Sequence, residues 1–289
     1  MAPVPANPVW FITASSNGFG QAIAWDALRR GHRVIATARS STKLAALRSA
    51  GATVFDLDVT SDPATLERTV AAAHAVHGRI DVLVNAAGYL LEGAVEEATP
   101  AERQAIWSTN VFGALNVTRA VLPHMRARRA GAVALFGSLG GWRGGPAFAD
   151  YAATKWACSA YGESLRAELA PLGIAATVIE PGYFRSGFLN PGSARLSTAT
   201  RIPDYDETAV GQTRAALDKT DNHQLGNVEK GAKVIVDVLS GEGVGEGREI
   251  PVRLVLGSDC EQVIREKIAQ TEKLLEEWKE VARSTDYAE

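Results

Sequence analysis

The chain has little sulfur chemistry to offer. Only Cys158 and Cys260 carry thiols among 289 residues, and neither belongs to a CxxC pair. A disulfide framework is thereby excluded, and two reduced thiols in a cytosolic protein are expected. The five histidines are scattered, with no HExxH and no His/Cys cluster, so no catalytic metal is expected. An excess of one charge is missing too: 30 basic residues stand against 33 acidic ones. That balance leaves no electrostatic footprint for nucleic acid or an anionic membrane. No apolar run reaches the ~18 residues of a membrane span. Met1–Pro8 has no basic region ahead of an apolar one, so no signal peptide is expected there. Pro3, Pro5 and Pro8 suggest an extended, mobile start instead. The expected location is cytoplasmic.

What is present is apolar material in a pattern. The 46% of hydrophobic residues suffices for one well-buried domain over residues 1–289. Short apolar runs at Val9–Thr13, Arg33–Ala38, Ala52–Leu57, Asp81–Asn85, Ala132–Ser138, Ile174–Glu180 and Arg253–Leu256 alternate with longer amphipathic stretches. Several are apolar nearly throughout, as strands covered on both faces must be. Thr99-Pro100-Ala101-Glu102 and Asp62-Pro63 read as helix starts, and Gly31, Gly51, Gly78 and Gly131 as helix ends. The expected fold class is α/β, a Rossmann-type doubly wound parallel sheet of about seven strands over a core of about 9–256. Ligands then bind outside the carboxyl ends of the strands. Two regions depart from the alternation. Tyr183 to about Asp206 is loop-like and opens a substrate loop or lid of about 183–230. A C-terminal helix of about 259–283 carries Ile264, Ile268, Leu275, Trp278 and Ala282 on one stripe, suited to packing on its own domain or on another subunit.

The first run leads into Thr13-Ala14-Ser15-Ser16-Asn17-Gly18-Phe19-Gly20, and a helix follows. Small residues there let backbone N–H groups approach a pyrophosphate, and the helix N-terminus adds partial positive charge. The spacing is not GxGxxG. The second strand ends in Arg39-Ser40 with no acid in reach. An arginine at that position pairs with a 2′-phosphate, which points to NADP(H) rather than NAD(H).

Ser138 stands at the end of the fifth run, and Tyr151-Ala152-Ala153-Thr154-Lys155 opens a long helix. A spacing of four puts the phenol and the ammonium on one helix face. A carbonyl that gains a hydride must also gain a proton. Tyrosine titrates near ~10, and an adjacent ammonium favours the phenolate. Bringing it to ~7 takes about 4 kcal/mol of differential stabilisation. Ser138 can hydrogen-bond the reacting oxygen.

With these residues the chain resembles the short-chain dehydrogenases/reductases, in the branch with a TGxxxGxG loop and a YxxxK pair. Thr13 to Gly20, including Ser15, Ser16, Gly18 and Phe19, match the cofactor loop. Asp58-Val59 match the pair at the adenine, and Asn85-Ala86-Ala87-Gly88 the NNAG motif. Pro181-Gly182, with Phe184 beyond, match the turn facing the nicotinamide. The resemblance implies that Tyr151 is the acid/base and that Lys155 binds the nicotinamide ribose and lowers the tyrosine pKa. It also implies that Ser138 orients the substrate oxygen and that Asn110 holds a proton-relay water through its bent backbone. Ala14 replaces a glycine, Ala86 replaces an asparagine, and Ser186 is the nearest hydroxyl to a threonine usual after Pro-Gly. The long segment after Gly182 and the C-terminal helix resemble the 17β-hydroxysteroid-dehydrogenase-like sub-branch. Relatives are commonly dimers or tetramers, so a homodimer or homotetramer is expected.

The expected substrate walls are Leu139, Trp142, Phe148, Tyr183, Phe184, Phe188 and Leu189, an apolar and aromatic-tolerant lining. Arg143 and Arg185 lie in the same segments. The expected activity is hydride transfer between NADP(H) and a ketone, aldehyde or secondary alcohol. A non-catalytic NADP(H)-binding sensor or scaffold is the alternative. An epimerase or dehydratase ranks below it, since those carry a TGxxGxxG loop.

Overall fold

The computed structural model describes residue 5 and residues 7–287. The proline-marked start at Met1–Pro8 lies largely outside them. The elements run β1 (Val9–Ile12), α1 (Gly18–Arg29), β2 (Arg33–Ala38), α2 (Ala45–Ser49), β3 (Thr53–Asp56), α3 (Pro63–His77), β4 (Val82–Asn85), β5 (Leu90–Glu92), α4 (Pro100–Trp107), α5 (Ala114–Arg128) and β6 (Gly131–Phe136). They continue with α6 (Ala149–Leu169), β7 (Ile174–Pro181), β8 (Phe184–Arg185), β9 (Arg195–Ser197), α7 (Ala209–Thr220), β10 (Gly226–Asn227), α8 (Val228–Ser240), β11 (Arg253–Leu256), α9 (Ser258–Glu277) and α10 (Lys279–Arg283).

Seven strands form one parallel sheet in the order β11-β7-β6-β4-β1-β2-β3. The chain runs outward from β1 through β2 and β3, then returns to the other side of β1 with β4. That reversal opens a crevice at the carboxyl ends of β1 and β4. Side chains alternate across the sheet. Trp10, Ile12, Val34 and Ala36 pack on Ile23 and Ala27 of α1 and on Ile235 and Leu239 of α8. Phe11, Ile35 and Leu83 pack on Leu66 and Val70 of α3 and on Val117 and Val121 of α5. Both faces are covered, so the strands read as unbroken apolar runs. Each buried Val, Leu, Ile or Phe contributes roughly 1.5–3 kcal/mol.

Helix ends follow local chemistry. The Thr99 hydroxyl accepts the Glu102 N–H at 3.2 Å, and the Glu102 carboxylate accepts the Thr99 N–H at 2.8 Å, a reciprocal cap. Asp62 caps α3 by accepting the Thr65 N–H at 3.0 Å. Gly131 does not close α5 as expected. Arg129 takes the left-handed turn with φ +51°. Gly131 instead begins β6, where a Cβ would stand 2.7 Å from the Met125 sulfur.

The segment after β7 is more ordered than its loop-like sequence implies. β8 pairs with β10 and β9 with β5. Arg195 Nε donates to the buried Glu92 at 2.5 Å, and Arg214 is ion-paired with the buried Glu97. Two- and three-residue strands leave no periodicity to read, and their ties are long-range. The C-terminal stripe also departs from a fully packed helix. Cys260 and Val263 are buried, Ile264 is half-buried, and Ile268, Leu275 and Trp278 are exposed. Only the first turns of α9 therefore pack on this chain. Among the described residues no helix is long and apolar enough to cross a membrane.

Candidate active site

The loop after β1 is shaped by two residues with positive φ, Ala14 at +51° and Gly18 at +54°. Gly20 lies so close beneath the loop that a Cβ there would stand 2.6 Å from the Ala14 carbonyl oxygen. The Thr13 hydroxyl is buried and accepts the N–H groups of Ala86 at 2.9 Å and Ala87 at 3.2 Å. The Ser15 N–H donates to the Thr37 carbonyl at 2.8 Å, and its hydroxyl donates to the Ile12 carbonyl at 3.0 Å. These two side chains therefore stitch the loop to its neighbouring strands, while Ser16 stays half-buried above them. Asn17 precedes α1 without a side-chain cap, and no acid occupies the first turn. The free N–H groups and the positive end of the helix dipole are thus left open toward the cleft that Gly18, Phe19 and Gly20 line.

The far rim lies at the ends of β2 and β3. Arg39 is exposed and has no ion pair among the described residues. The Ser40 hydroxyl is 2.7 Å from that of Thr42. Asp58 accepts the Thr60 N–H at 2.9 Å, and Val59 is buried where a Cβ on Gly113 would touch it at 2.7 Å. Asn85, at the end of β4, donates to the Thr118 hydroxyl at 3.0 Å.

Ser138, Tyr151 and Lys155 all line one cleft with the open end of α1. Ser138 follows β6, and its hydroxyl accepts the Gly140 N–H at 3.1 Å, which fixes its orientation. Tyr151 sits in the first turn of α6, and the Lys155 ammonium lies 5.5 Å from its ring centre. Lys155 Nζ donates to the Phe136 carbonyl at 2.8 Å. It passes Gly88, where a Cβ would stand 3.6 Å from Nζ and 3.2 Å from Asn110 Oδ1. Asn110 occupies a π-helical turn, Ser108–Gly113, between α4 and α5. Its amide donates to the Tyr89 carbonyl at 2.9 Å and to the Thr154 hydroxyl at 3.1 Å, and its Oδ1 accepts the Tyr89 N–H at 3.0 Å. Its carbonyl accepts the Cys158 thiol at 3.3 Å.

Burial dominates the titration of this group. The Tyr151 phenol is pushed up to about 12 by desolvation, against which the Ser138 hydroxyl pulls in part. Burial draws the Lys155 ammonium down. In the chain without its cofactor, desolvation thus outweighs the ammonium; the expected lowering of the phenol counted on the positive charge of oxidised nicotinamide as well. The lysine points its charge at the Phe136 carbonyl, and desolvation disfavours both ionic forms.

Beyond Tyr151 the cleft is walled by Leu139, Phe148, Tyr183, Phe188 and Leu189, as anticipated, and by Leu90, Ala194, Leu217 and Gln224, which carry no local motif. Phe188 stands over Tyr151 with ring centres 6.0 Å apart. Trp142 does not join them. Its indole N–H donates to Glu180 at 2.8 Å, and the Arg253 guanidinium covers its ring at 4.5 Å. Glu180 is fully buried and also accepts from Ser159 at 2.8 Å and Arg253 at 2.6 Å. One carboxylate thus knots together the end of β7, α6, β11 and the loop after Ser138. Pro181, Gly182 and Phe184 line the cleft just beyond. The Tyr183 N–H is held there by Asp259 of α9 at 2.6 Å. Ser186 also reaches the cleft, and a Cβ on Gly18 would stand 3.8 Å from its own Cβ. Arg143 and Arg185 are exposed and do not line it.

A family model described as short chain dehydrogenase matches residues 8–195. The chain belongs to the short-chain dehydrogenases. This short-chain dehydrogenase is 34% identical over 278 residues to oxidoreductase BOA17 of Botryotinia fuckeliana, covering 95% of this chain and 97% of that one. It resembles the crystal structure of a short-chain dehydrogenase from Streptomyces avermitilis with TM-score 0.87 and 37% identity, over 97% of this chain and 100% of the other. It is also similar to the closed form of a serine dehydrogenase complexed with NADP+, with TM-score 0.70 and 26% identity over 86% and 94% of the two chains. The protein is an oxidoreductase of Rossmann type.

Proposed function

We propose that this short-chain dehydrogenase uses NADP(H) to interconvert a ketone or aldehyde with the corresponding alcohol, with Tyr151 as acid/base. The observation that carries the reading is the convergence of Ser138, Tyr151 and Lys155 on the cleft that the uncapped N-terminus of α1 opens into. The residues present suit a dinucleotide. Free N–H groups without a first-turn acid accept a pyrophosphate. The unpaired Arg39 at the end of β2 suits a 2′-phosphate, and the NADP+-bound serine dehydrogenase named above supports the same choice. When bound, the cofactor supplies the hydride.

The protein's own groups handle the proton. In the chain without cofactor, burial favours the neutral phenol of Tyr151. As a neutral phenol it can donate its hydrogen to the substrate oxygen as the carbonyl is reduced. Ser138, whose hydroxyl oxygen accepts the Gly140 N–H, lies beside the Tyr151 phenol and can turn its hydrogen to the substrate oxygen. Lys155 lies beneath the site with its Nζ anchored by the Phe136 carbonyl.

The test is Tyr151→Phe. NADPH oxidation with a panel of ketones and aldehydes falls by at least about a thousandfold, while NADPH binding stays within a few-fold of wild type. A variant that retains full turnover would rule out the mechanism.

A further inference from the structure

The C-terminal helix leaves the body of the molecule partway along α9. Cys260 and Val263 are buried and Ile264 is half-buried. Beyond them Ile268 is 47% exposed, Leu275 65%, Trp278 55% and Val281 56%. The helical hydrogen bonds run on from α9 into α10. The Trp278 N–H donates to the Leu274 carbonyl at 3.1 Å, and the Trp278 carbonyl accepts the Ala282 N–H at 2.9 Å. Residues 268–283 thus make an arm of about 24 Å. A helix of that length is marginal in water by itself, and helices are held chiefly by the packing of their apolar face. Among the described residues nothing covers that face.

The face has a period. Ile264, Ile268, Thr271, Leu275, Trp278 and Ala282 follow in alternating steps of four and three, the spacing that seams one helix to another. Leu274 and Val281 flank the seam on one side, Glu272 and Lys279 on the other. Over residues 268–283 four carboxylates stand against three cations. The arm is therefore no basic amphipathic helix, and it has no charge to offer an anionic bilayer or a nucleic acid.

We propose that the arm pairs with the same arm of a second copy of this chain, antiparallel and about a twofold axis. Twofold pairing makes every contact reciprocal. Setting Leu275 against the partner's Trp278 sets Trp278 against the partner's Leu275. The same register puts Thr271 opposite the partner's Ala282 and Leu274 beside the partner's Val281. It also puts Glu272 beside the partner's Lys279, twice over, and such flanking charges fix orientation in paired helices. Lys279 lies 3.5 Å from Glu276 of its own chain at the surface, so its charge remains available to a second carboxylate. In this register Ile268 falls opposite residue 285 of the other copy. The overlap therefore spans the exposed arm and stops where each body begins. Parallel pairing would bring both bodies to one end, and Lys267, which would then face Glu272, already stands over Trp156 at 6.0 Å. The contact is independent of how the cleft is read.

The experiment is analytical ultracentrifugation of the full chain. Leu275→Glu/Trp278→Glu halves the mass of the assembly, from two chains to one, or from four to two where a further contact exists elsewhere. Both side chains are exposed in the single chain, so the fold is kept and NADPH binding per chain stays within about twofold. Glu272→Lys weakens the association by about tenfold or more, and adding Lys279→Glu restores it to within a few-fold of wild type. Chains carrying Leu275→Cys and Trp278→Cys, mixed and oxidised, give the mixed disulfide ahead of either symmetric one. A wild type that sediments as a single chain at the highest concentration it tolerates overturns the proposal. So does an unchanged mass in Leu275→Glu/Trp278→Glu, a Glu272→Lys defect that Lys279→Glu fails to repair, or a predominance of symmetric disulfides.

Discussion

The carboxylate of Asp259 accepts the backbone N–H of Tyr183 at 2.6 Å, so the first turn of the C-terminal helix holds the turn that closes the cleft. The other oxygen accepts the Cys260 N–H at 2.9 Å, and the charge lies at the favourable end of the α9 dipole. Asp259→Ala leaves the Tyr183 amide without its acceptor. The expected cost is about 1–3 kcal/mol, seen as a fall in Tm of several degrees together with a rise in KM for the carbonyl substrate. An unchanged Tm would show that the contact contributes nothing.

Alkaline stability reports on Tyr151. Its pKa rises from the ordinary phenol value of 10.0 to about 12 in the folded chain. Below pH 10 the phenol is neutral in both states. Above it the unfolded chain releases the proton and the folded chain does not, so stability drains away between pH 10 and about 12. Lys155 is depressed by burial, so its effect has the opposite sign and is complete by the ordinary lysine value of 10.5. Urea unfolding of wild type and Tyr151→Phe across that window should show a shallower decline in the variant, by up to about 2–3 kcal/mol at the alkaline end. Parallel curves would contradict the burial of the phenol.

Arg39 decides between cofactors in this reading. It is exposed at the end of β2 and pairs with no acid among the described residues. Arg39→Ala should weaken NADPH binding by about ten- to a hundredfold and leave NADH nearly untouched. Competition binding of the two cofactors measures it directly, and a preference that survives the substitution would assign the 2′-phosphate to other groups.

Ala14 adopts φ +51°, where a Cβ costs roughly 1–2 kcal/mol. Glycine would relieve that strain and give back part of it through a freer unfolded chain. Ala14→Gly should therefore raise Tm by about 1–3 °C. A lower Tm would mean that the methyl group packs usefully against the loop.

Much of this was legible in the amino acids because it was local or periodic. The seven sheet strands announced themselves as apolar runs, and Thr99 with Glu102 announced a helix start. Tyr151 and Lys155 share a helix face through their spacing alone. The position of Trp142 was not legible, because its indole answers to Glu180, thirty-eight residues later and buried. The order between β7 and α8 was hidden for the same reason: Arg195 and Arg214 find their carboxylates across the fold. The tyrosine's titration was only half legible, because an ammonium four residues away can be read from spacing, whereas the desolvation that opposes it is a property of the whole cleft.

Glu180 ties the Ser138 and Tyr151 side of the cleft to the sheet through Trp142, Ser159 and Arg253. The opposite wall hangs on two short ribbons, β8 with β10 and β5 with β9. The molecule is thus divided into a chassis and an interchangeable panel. Residues 186–224 build the panel, and Ser138, Tyr151 and Lys155 stand on the chassis.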